Sequence, residues 1–172
     1  MDTFDWPWQY NFPPFFTIQP NVDTRKKQLE AWCNLVLAYY RHKKLYSLDV
    51  GESQTSLLFS NKKLDRKLSI DAIYTILEEL CKRGNVEWKD KTKKQCLLMW
   101  RTPDEWGKMM YQWVCDNGKN NTVCTLYELV NGDDTNNEEF YGMEDWLLAR
   151  SLKTLQAQNK AIMMGTDGVK FL

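Results

Sequence analysis

The chain is 172 residues long, balances 23 Lys and Arg against 23 Asp and Glu, and is 43% hydrophobic. That length holds one domain or two small ones of about 75 residues each, and the neutral balance supplies no field to draw nucleic acid, an anionic membrane or an acidic substrate. No cationic start leads into an apolar h-region, no transmembrane-length apolar run occurs, and Asp2 stands where myristoylation needs glycine. A cytosolic or nuclear protein without signal peptide, membrane span or acyl anchor is expected. Cys33, Cys81, Cys96, Cys115 and Cys124 are an odd set with no C-x-x-C pair. Most lie in or beside apolar segments and read as reduced core residues.

The first segment is rich in aromatics and proline. Phe4, Trp6, Trp8, Tyr10, Phe12, Phe15 and Phe16 are interleaved with Pro7, Pro13 and Pro14. Proline fixes φ near −65° and disfavours helix in the residue before it. Residues 1–20 are therefore expected as an extended, polyproline-II-like arm studded with rings. Each ring can remove about 150–250 Å² from water, or about 4–6 kcal/mol gross, so the arm must dock. It lies either over its own body or in a groove on another subunit; in a divided arrangement Trp6 to Tyr10 stay near the body and Pro13 to Phe16 reach a partner. The candidate partner-binding residues are Trp6, Pro7, Trp8, Tyr10, Pro13, Pro14, Phe15 and Phe16. A WW-type domain is set aside as the partner: it wants P-P-x-Y and the tyrosine hydroxyl, and the fourth position here is Phe16.

Asn21 or Asp23 caps the next segment, where Leu29, Trp32, Cys33, Val36, Leu37 and Tyr40 recur at helical spacing up to the basic end Arg41 to Lys44. A short strand is expected over Tyr46 to Val50 and a short second helix within Leu57 to Leu68. Ile70, Ile73, Leu77 and Leu80 mark a third helix, ended by Gly84. Val86 to Trp88 and Cys96 to Trp100 read as a hairpin. Thr102-Pro103-Asp104-Glu105 is a capping box with proline at the favoured first position, followed by the stripe Trp106, Met109, Met110, Trp113, Val114. Thr125 to Glu128 is a second box, opening a short helix closed by Asn131-Gly132. The acidic stretch Asp133 to Glu139 reads as a solvated loop. Met143 to Gln158 is a helix with Leu148, Leu152 and Leu155 inward, and Ala161 to Met164 and Val169 to Leu172 are strands around Gly165 to Gly168.

The order of elements repeats with a shift of about 75 residues. Ile73 falls on Leu148, Leu77 on Leu152, Leu80 on Leu155, Val86 on Ala161, Trp88 on Met163 and Gly84 on Asn159. Three helices followed by a β-hairpin is a winged-helix layout, so the expected fold is α+β: arm 1–20, winged helix 21–101 and winged helix 102–172. The junction at Arg101-Thr102 leaves almost no linker, so little relative motion is expected.

Winged helices often place their third helix in the DNA major groove. Here that helix mixes Asp71, Glu78 and Glu79 with Lys82 and Arg83, and its counterpart mixes Glu144 and Asp145 with Arg150 and Lys153. Neither has the cationic excess that phosphate binding demands. The alternative reading, a DNA-binding or transcription-associated protein, rests on Lys62, Lys63, Arg66 and Lys67 with the wing residues Lys89, Lys91, Lys93 and Lys94. For catalysis there is one histidine, His42, and no phosphate loop, metal-ligand cluster or nucleophile elbow. A non-enzyme without cofactor or metal is expected.

The segments W-P-W-Q-Y-N-F-P-P-F-F, L-E-E-L-C-K-R-G-N-V-E-W, M-W-R-T-P-D-E-W-G-K-M-M-Y-Q-W-V, T-L-Y-E-L-V-N-G-D-D and G-V-K-F-L resemble, in order and spacing, the small subunits of the ESCRT-II endosomal sorting complex. The resemblance spans nearly the whole chain. It implies two winged-helix domains per chain and two copies per Y-shaped complex, each bound to one of two larger winged-helix subunits. One of those larger subunits carries ubiquitin- and lipid-binding functions. It further implies that Pro13, Pro14, Phe15 and Phe16, with Trp6, Pro7, Trp8 and Tyr10 upstream, dock into hydrophobic pockets of the larger subunits. Where some members carry tyrosine this chain has Phe16, which keeps apolar docking and removes a hydroxyl. The second winged helix is implied to recruit an ESCRT-III subunit of the charged multivesicular body protein type through that protein's N-terminal helix. The implied role is sorting ubiquitinated cargo into multivesicular endosomes from the cytoplasm, with membrane attachment left to the partners.

Overall fold

A computed structural model describes residues 3–172. Met1 and Asp2, on which the exclusion of an acyl anchor rests, lie outside the described residues. The chain divides into two compact units, the first ending at Trp100 and the second running from Arg101 to Leu172.

In the first unit the Asn21 side chain accepts the Thr24 amide at 3.0 Å and starts helix α1 (Val22–Lys43). Arg41, His42 and Lys43 meet the negative end of its dipole. Its buried face is wider than the sequence stripe: Gln28, Leu35 and Tyr39 join Trp32, Cys33, Val36 and Tyr40, while Leu29 and Leu37 are only half-buried. Strand β1 (Ser47–Asp49) and one turn of helix α2 (Val50–Ser53) follow.

The helix expected within Leu57 to Leu68 is not formed. Residues 61–67 hold a single apolar side chain, Leu64, so a helix there would have no second turn to bury. The segment instead forms a tight hairpin of β2 (Ser60–Asn61) and β3 (Arg66–Lys67) with Asp65 at φ 53°. That turn drives Leu58, Phe59 and Leu68 inward together. Helix α3 (Ile70–Lys82), capped by Ser69, buries Ala72, Ile73, Ile76, Leu77 and Leu80 and leaves Ile70 outside. Gly84 then takes φ 81°. Strands β4 (Val86–Trp88) and β5 (Gln95–Leu98) complete an antiparallel sheet in the order β1-β5-β4.

In the second unit the Thr102 capping box closes in both directions over helix α4 (Pro103–Asp116). Strand β6 (Val123–Thr125), not anticipated from the sequence, leads into α5 (Leu126–Asn131), whose cap Thr125 accepts the Glu128 amide at 3.0 Å. Helix α6 (Asp145–Ala157) buries Leu147, Leu148, Ser151, Leu152 and Leu155, and strands β7 (Ala161–Met164) and β8 (Gly168–Phe171) give the sheet order β6-β8-β7. The acidic loop is not wholly solvated. Thr135 is buried, and Glu139 grips the Arg101 guanidinium through two hydrogen bonds of 2.9 and 3.0 Å.

The two units repeat one plan: helix, strand, short helix, third helix, two-stranded wing. Ile73, Leu77 and Leu80 of α3 and Leu148, Leu152 and Leu155 of α6 are all buried, and Val86 and Ala161 open the wings from equivalent buried sites. Gly84 and Asn159 both adopt positive φ, 81° and 59°, the conformation that reverses the chain out of the helix. Each unit is a winged helix. All five cysteines are free, with Cys33 and Cys96 buried and Cys115 exposed, against the expectation of a mostly buried set. Burial pushes the Cys33 thiol up to about 11 and that of Cys96 to about 12.

Helices α4 and α6 meet at Gly107. A Cβ there would lie 2.6 Å from Thr154 Oγ1 and 2.9 Å from the Ser151 carbonyl oxygen. Glycine to alanine inside a helix ordinarily gains about 1 kcal/mol, but a backbone carbonyl cannot rotate away. Gly107→Ala is therefore expected to lower stability by about 1–3 kcal/mol. Urea unfolding of the two proteins would read this as a reduced midpoint at unchanged slope.

Candidate partner-docking surface

The arm is not the extended ribbon that its prolines led us to expect. It folds as two 3₁₀ turns, Trp8–Asn11 and Pro13–Phe16. Amides of Tyr10 and Phe12 donate to Pro7 and Gln9 carbonyls at 3.0 Å, and those of Phe15 and Thr17 to Phe12 and Pro14 at 2.9 and 3.2 Å. Pro13 and Pro14 open a turn whose first positions need no amide donor and whose φ matches the proline ring. Pro7, at φ −68° and ψ 159°, keeps polyproline-II geometry.

The turns sort the rings onto two faces. Inward, Phe15 stacks on Trp32 of α1 with centroids 4.2 Å apart and planes 3° from parallel, and Phe16 meets the same indole edge-on at 5.5 Å. Trp32 Nε1 donates to the Phe15 carbonyl at 2.8 Å. Upstream, Trp6 stacks on Tyr10 at 3.9 Å, and Phe4 and Trp6 both contact Tyr39. The Tyr10 hydroxyl donates to the Leu57 carbonyl, and Asn61 Nδ2 donates to the Tyr10 carbonyl at 2.8 Å. Burial, with Tyr39 nearby, raises the Tyr10 pKa.

Outward, Trp8 and Phe12 are 69% and 49% exposed, with ring centroids 5.7 Å apart. Pro13 and Pro14 are exposed beside them. Trp8, Phe12 and Pro14 border a groove of about 610 Å³ whose walls include Phe15, Lys27 and Ala31. Of the eight candidate residues, Trp8, Pro13 and Pro14 face solvent, Trp6 and Pro7 are half-buried, and Tyr10, Phe15 and Phe16 lie in the chain's own core. The division of the arm is thus corrected. The seat on the body is not confined to the upstream half: Tyr10 of the first turn and Phe15 and Phe16 of the second are all buried, while Trp8 and Phe12 are exposed. Phe12, absent from the candidates, belongs to the outer face.

Two further residues escaped the sequence reading. Gln28 and Gln19 bind the arm's backbone carbonyls. The available signal was a polar residue four positions before Trp32, on the same face of α1.

The proposed DNA face is partly spent internally. Lys93 of the wing donates to Glu78 of α3 at 2.8 Å, and Trp88 Nε1 donates to the same carboxylate oxygen at 3.1 Å. That pair lowers the Glu78 pKa and raises that of Lys93. Among the described residues no helix is long and apolar enough to cross a membrane, and no His, Cys, Asp and Glu group could hold a metal ion.

The chain is thus a tandem of two winged helices, the first carrying a folded aromatic-proline arm. The model of the family described as ESCRT-II complex subunit matches residues 9–144, and the chain belongs to that family. Its relatives include vacuolar protein-sorting-associated protein 25 of Danio rerio, 64% identical over 172 residues covering 98% of this chain and 99% of that one. The Homo sapiens protein of the same name is 58% identical, covering 98% of each chain, and the Drosophila melanogaster protein 41%, covering 99% of each. Among solved structures, the VPS25 subunit of the endosomal trafficking complex ESCRT-II superposes with a TM-score of 0.82 at 32% identity, covering 96% of this chain and 98% of that one. A chain from the crystal structure of the endosomal complex ESCRT-II (VPS22/VPS25/VPS36) superposes with a TM-score of 0.77 over the same shares.

Phe15 and Phe16 are 4% and 3% exposed. Phe15→Ala is expected to cost about 3–5 kcal/mol, the usual range for a buried aromatic, and the double variant Phe15→Ala/Phe16→Ala to lose cooperative folding of the first unit. Thermal melts followed by circular dichroism would check this. A native-like melting temperature would mean that the arm is dispensable to the core.

Proposed function

We propose that the chain is a non-catalytic assembly subunit of an ESCRT-II complex, using the outer face of its arm to dock on the larger subunits. The observation that carries this reading is the exposed ridge of Trp8, Phe12, Pro13 and Pro14, held rigid by rings buried on the opposite side. A solvent-facing indole beside a phenyl ring and two prolines is the composition of an interface anchor. The company kept by the structural relative, VPS22 and VPS36, supplies the partners. The complex acts at endosomal membranes in sorting ubiquitinated cargo toward multivesicular bodies, and the chain reaches the membrane through those partners.

The second winged helix presents the next layer, an ESCRT-III subunit. The sheet of this unit supports the assignment. Across one row Val123, Lys170 and Ile162 lie side by side, where the first unit has Ser47, Leu97 and Glu87. Val123 and Ile162 are exposed, as are Met164 and, on α5, Tyr127. The second sheet thus shows apolar edges around one lysine, suited to an amphipathic helix carrying an acidic residue.

Trp8→Ala/Phe12→Ala is expected to melt close to wild type while weakening binding to a VPS22/VPS36 pair at least tenfold, in keeping with aromatic anchors. Isothermal titration calorimetry would measure it, and unchanged affinity would remove the arm from the interface. Independently, Val123→Asp/Ile162→Asp is expected to abolish capture of the ESCRT-III subunit and to spare VPS22/VPS36 binding. Retained capture on the same beads would place that contact elsewhere.

A further inference from the structure

Gln28 is a polar side chain inside the arm's seat, only 8% exposed. Its Nε2 lies 3.0 Å from the Phe15 carbonyl oxygen, 2.8 Å from that of Thr17 and 3.4 Å from that of Pro14. Its Oε1 accepts the Gln19 amide at 3.0 Å. Gln19 turns back in the same manner, its Nε2 donating to Pro14 at 3.0 Å and Thr17 at 2.7 Å. With Trp32 Nε1 on Phe15, the carbonyls of Pro14, Phe15 and Thr17 are all met from beneath by side-chain N–H groups. The amide orientation is dictated by this network: reversed, Oε1 would face carbonyl oxygens and Nε2 the Gln19 N–H. Glutamine is the side chain that brings two donors and an acceptor to this depth. Asparagine is a methylene shorter, glutamate has no donor when ionised, and lysine and arginine have no acceptor.

The carbonyls so held belong to the segment whose outer side carries Pro13 and Pro14. We infer that Gln28 is a positioning residue for the partner face: through the Pro14, Phe15 and Thr17 carbonyls it sets the orientation in which the prolines and Phe12 are presented. This rests on the reading that the arm's outer face meets the larger subunits. Gln28 touches no partner itself. It acts by preorganisation, removing before binding the backbone freedom that would otherwise be lost on association.

The test titrates the full-length chain and its variants into a recombinant VPS22/VPS36 pair, at a temperature where circular dichroism shows each variant folded. Gln28→Glu keeps shape and acceptor but replaces the amino group, with both its donors, by an oxygen facing carbonyls, and should weaken binding about tenfold or more at pH 7.5. The introduced carboxylate is buried among carbonyl oxygens, which raises its pKa. Lowering the pH toward about 5.5 protonates it, returns one donor and should recover part of the affinity relative to wild type at the same pH. Gln28→Met should weaken binding with no such recovery, a contrast that loss of packing alone would not produce. Folded Gln28 variants that bind within twofold of wild type, while Trp8→Ala/Phe12→Ala is impaired, overturn the positioning role alone. If Trp8→Ala/Phe12→Ala also binds normally, the arm reading falls and the inference with it. Should both Gln28 variants fail to fold, Gln19→Ala, which removes two donors from a half-buried side chain, should still weaken binding about threefold; unchanged affinity overturns the proposal.

Discussion

The first unit depends on one contact: Phe15 laid flat on Trp32, with the indole N–H closing onto the Phe15 carbonyl. Trp32 is fully buried, so its ring cannot be left without a cover and its N–H cannot be left without an acceptor. The arm supplies both from adjacent atoms of one residue. Once Phe15 is seated, Phe16 falls edge-on to the same indole and Thr17 comes within reach of Gln28. The arm is thus a structural layer of the first winged helix, and its outward residues inherit the rigidity of that core.

How much of this was legible in the residues depends on which forces act locally. The two-unit repeat was readable because it rests on helical periodicity and on caps. The Thr102 box and the Gly84 and Asn159 reversals are short-range, and the structure forms each where the pattern puts it. The segment Leu57 to Leu68 misled because its apolar residues are buried by a hairpin tied through Asn61 to Tyr10, fifty-one positions away. A contact that distant leaves no periodic trace. The arm misled differently. Its prolines do forbid an α-helix, but they also suit the opening of a 3₁₀ turn, and the choice between ribbon and turn was made by the facing helix. Which of eight aromatic and proline residues point outward followed from that choice alone. Strand β6 is three residues long and pairs with β8 more than forty residues later, so nothing local announced it.

The two winged helices keep one scaffold beneath different surfaces. Their buried positions match closely, whereas their outer faces do not. The first unit uses Glu78 to hold Lys93 and Trp88 of its own wing. The second spends its main ion pair, Arg101 with Glu139, on tying the acidic loop to the start of α4, and leaves its sheet apolar at the edges. Because core and surface are separate sets of residues in this small fold, the surface could diverge without altering the plan.

The half-wet Trp8 and Phe12 carry a cost for as long as nothing covers them. A newly made copy that has not met its companions displays a fixed, adhesive aromatic step that cannot be tucked away, because the rings behind it already fill the interior. Such surface invites self-association and the attention of chaperones and proteases. On the docking role proposed above, the arm would tie the lifetime of the subunit to the supply of the proteins it joins, surplus chains being marked by the same residues that serve assembled ones.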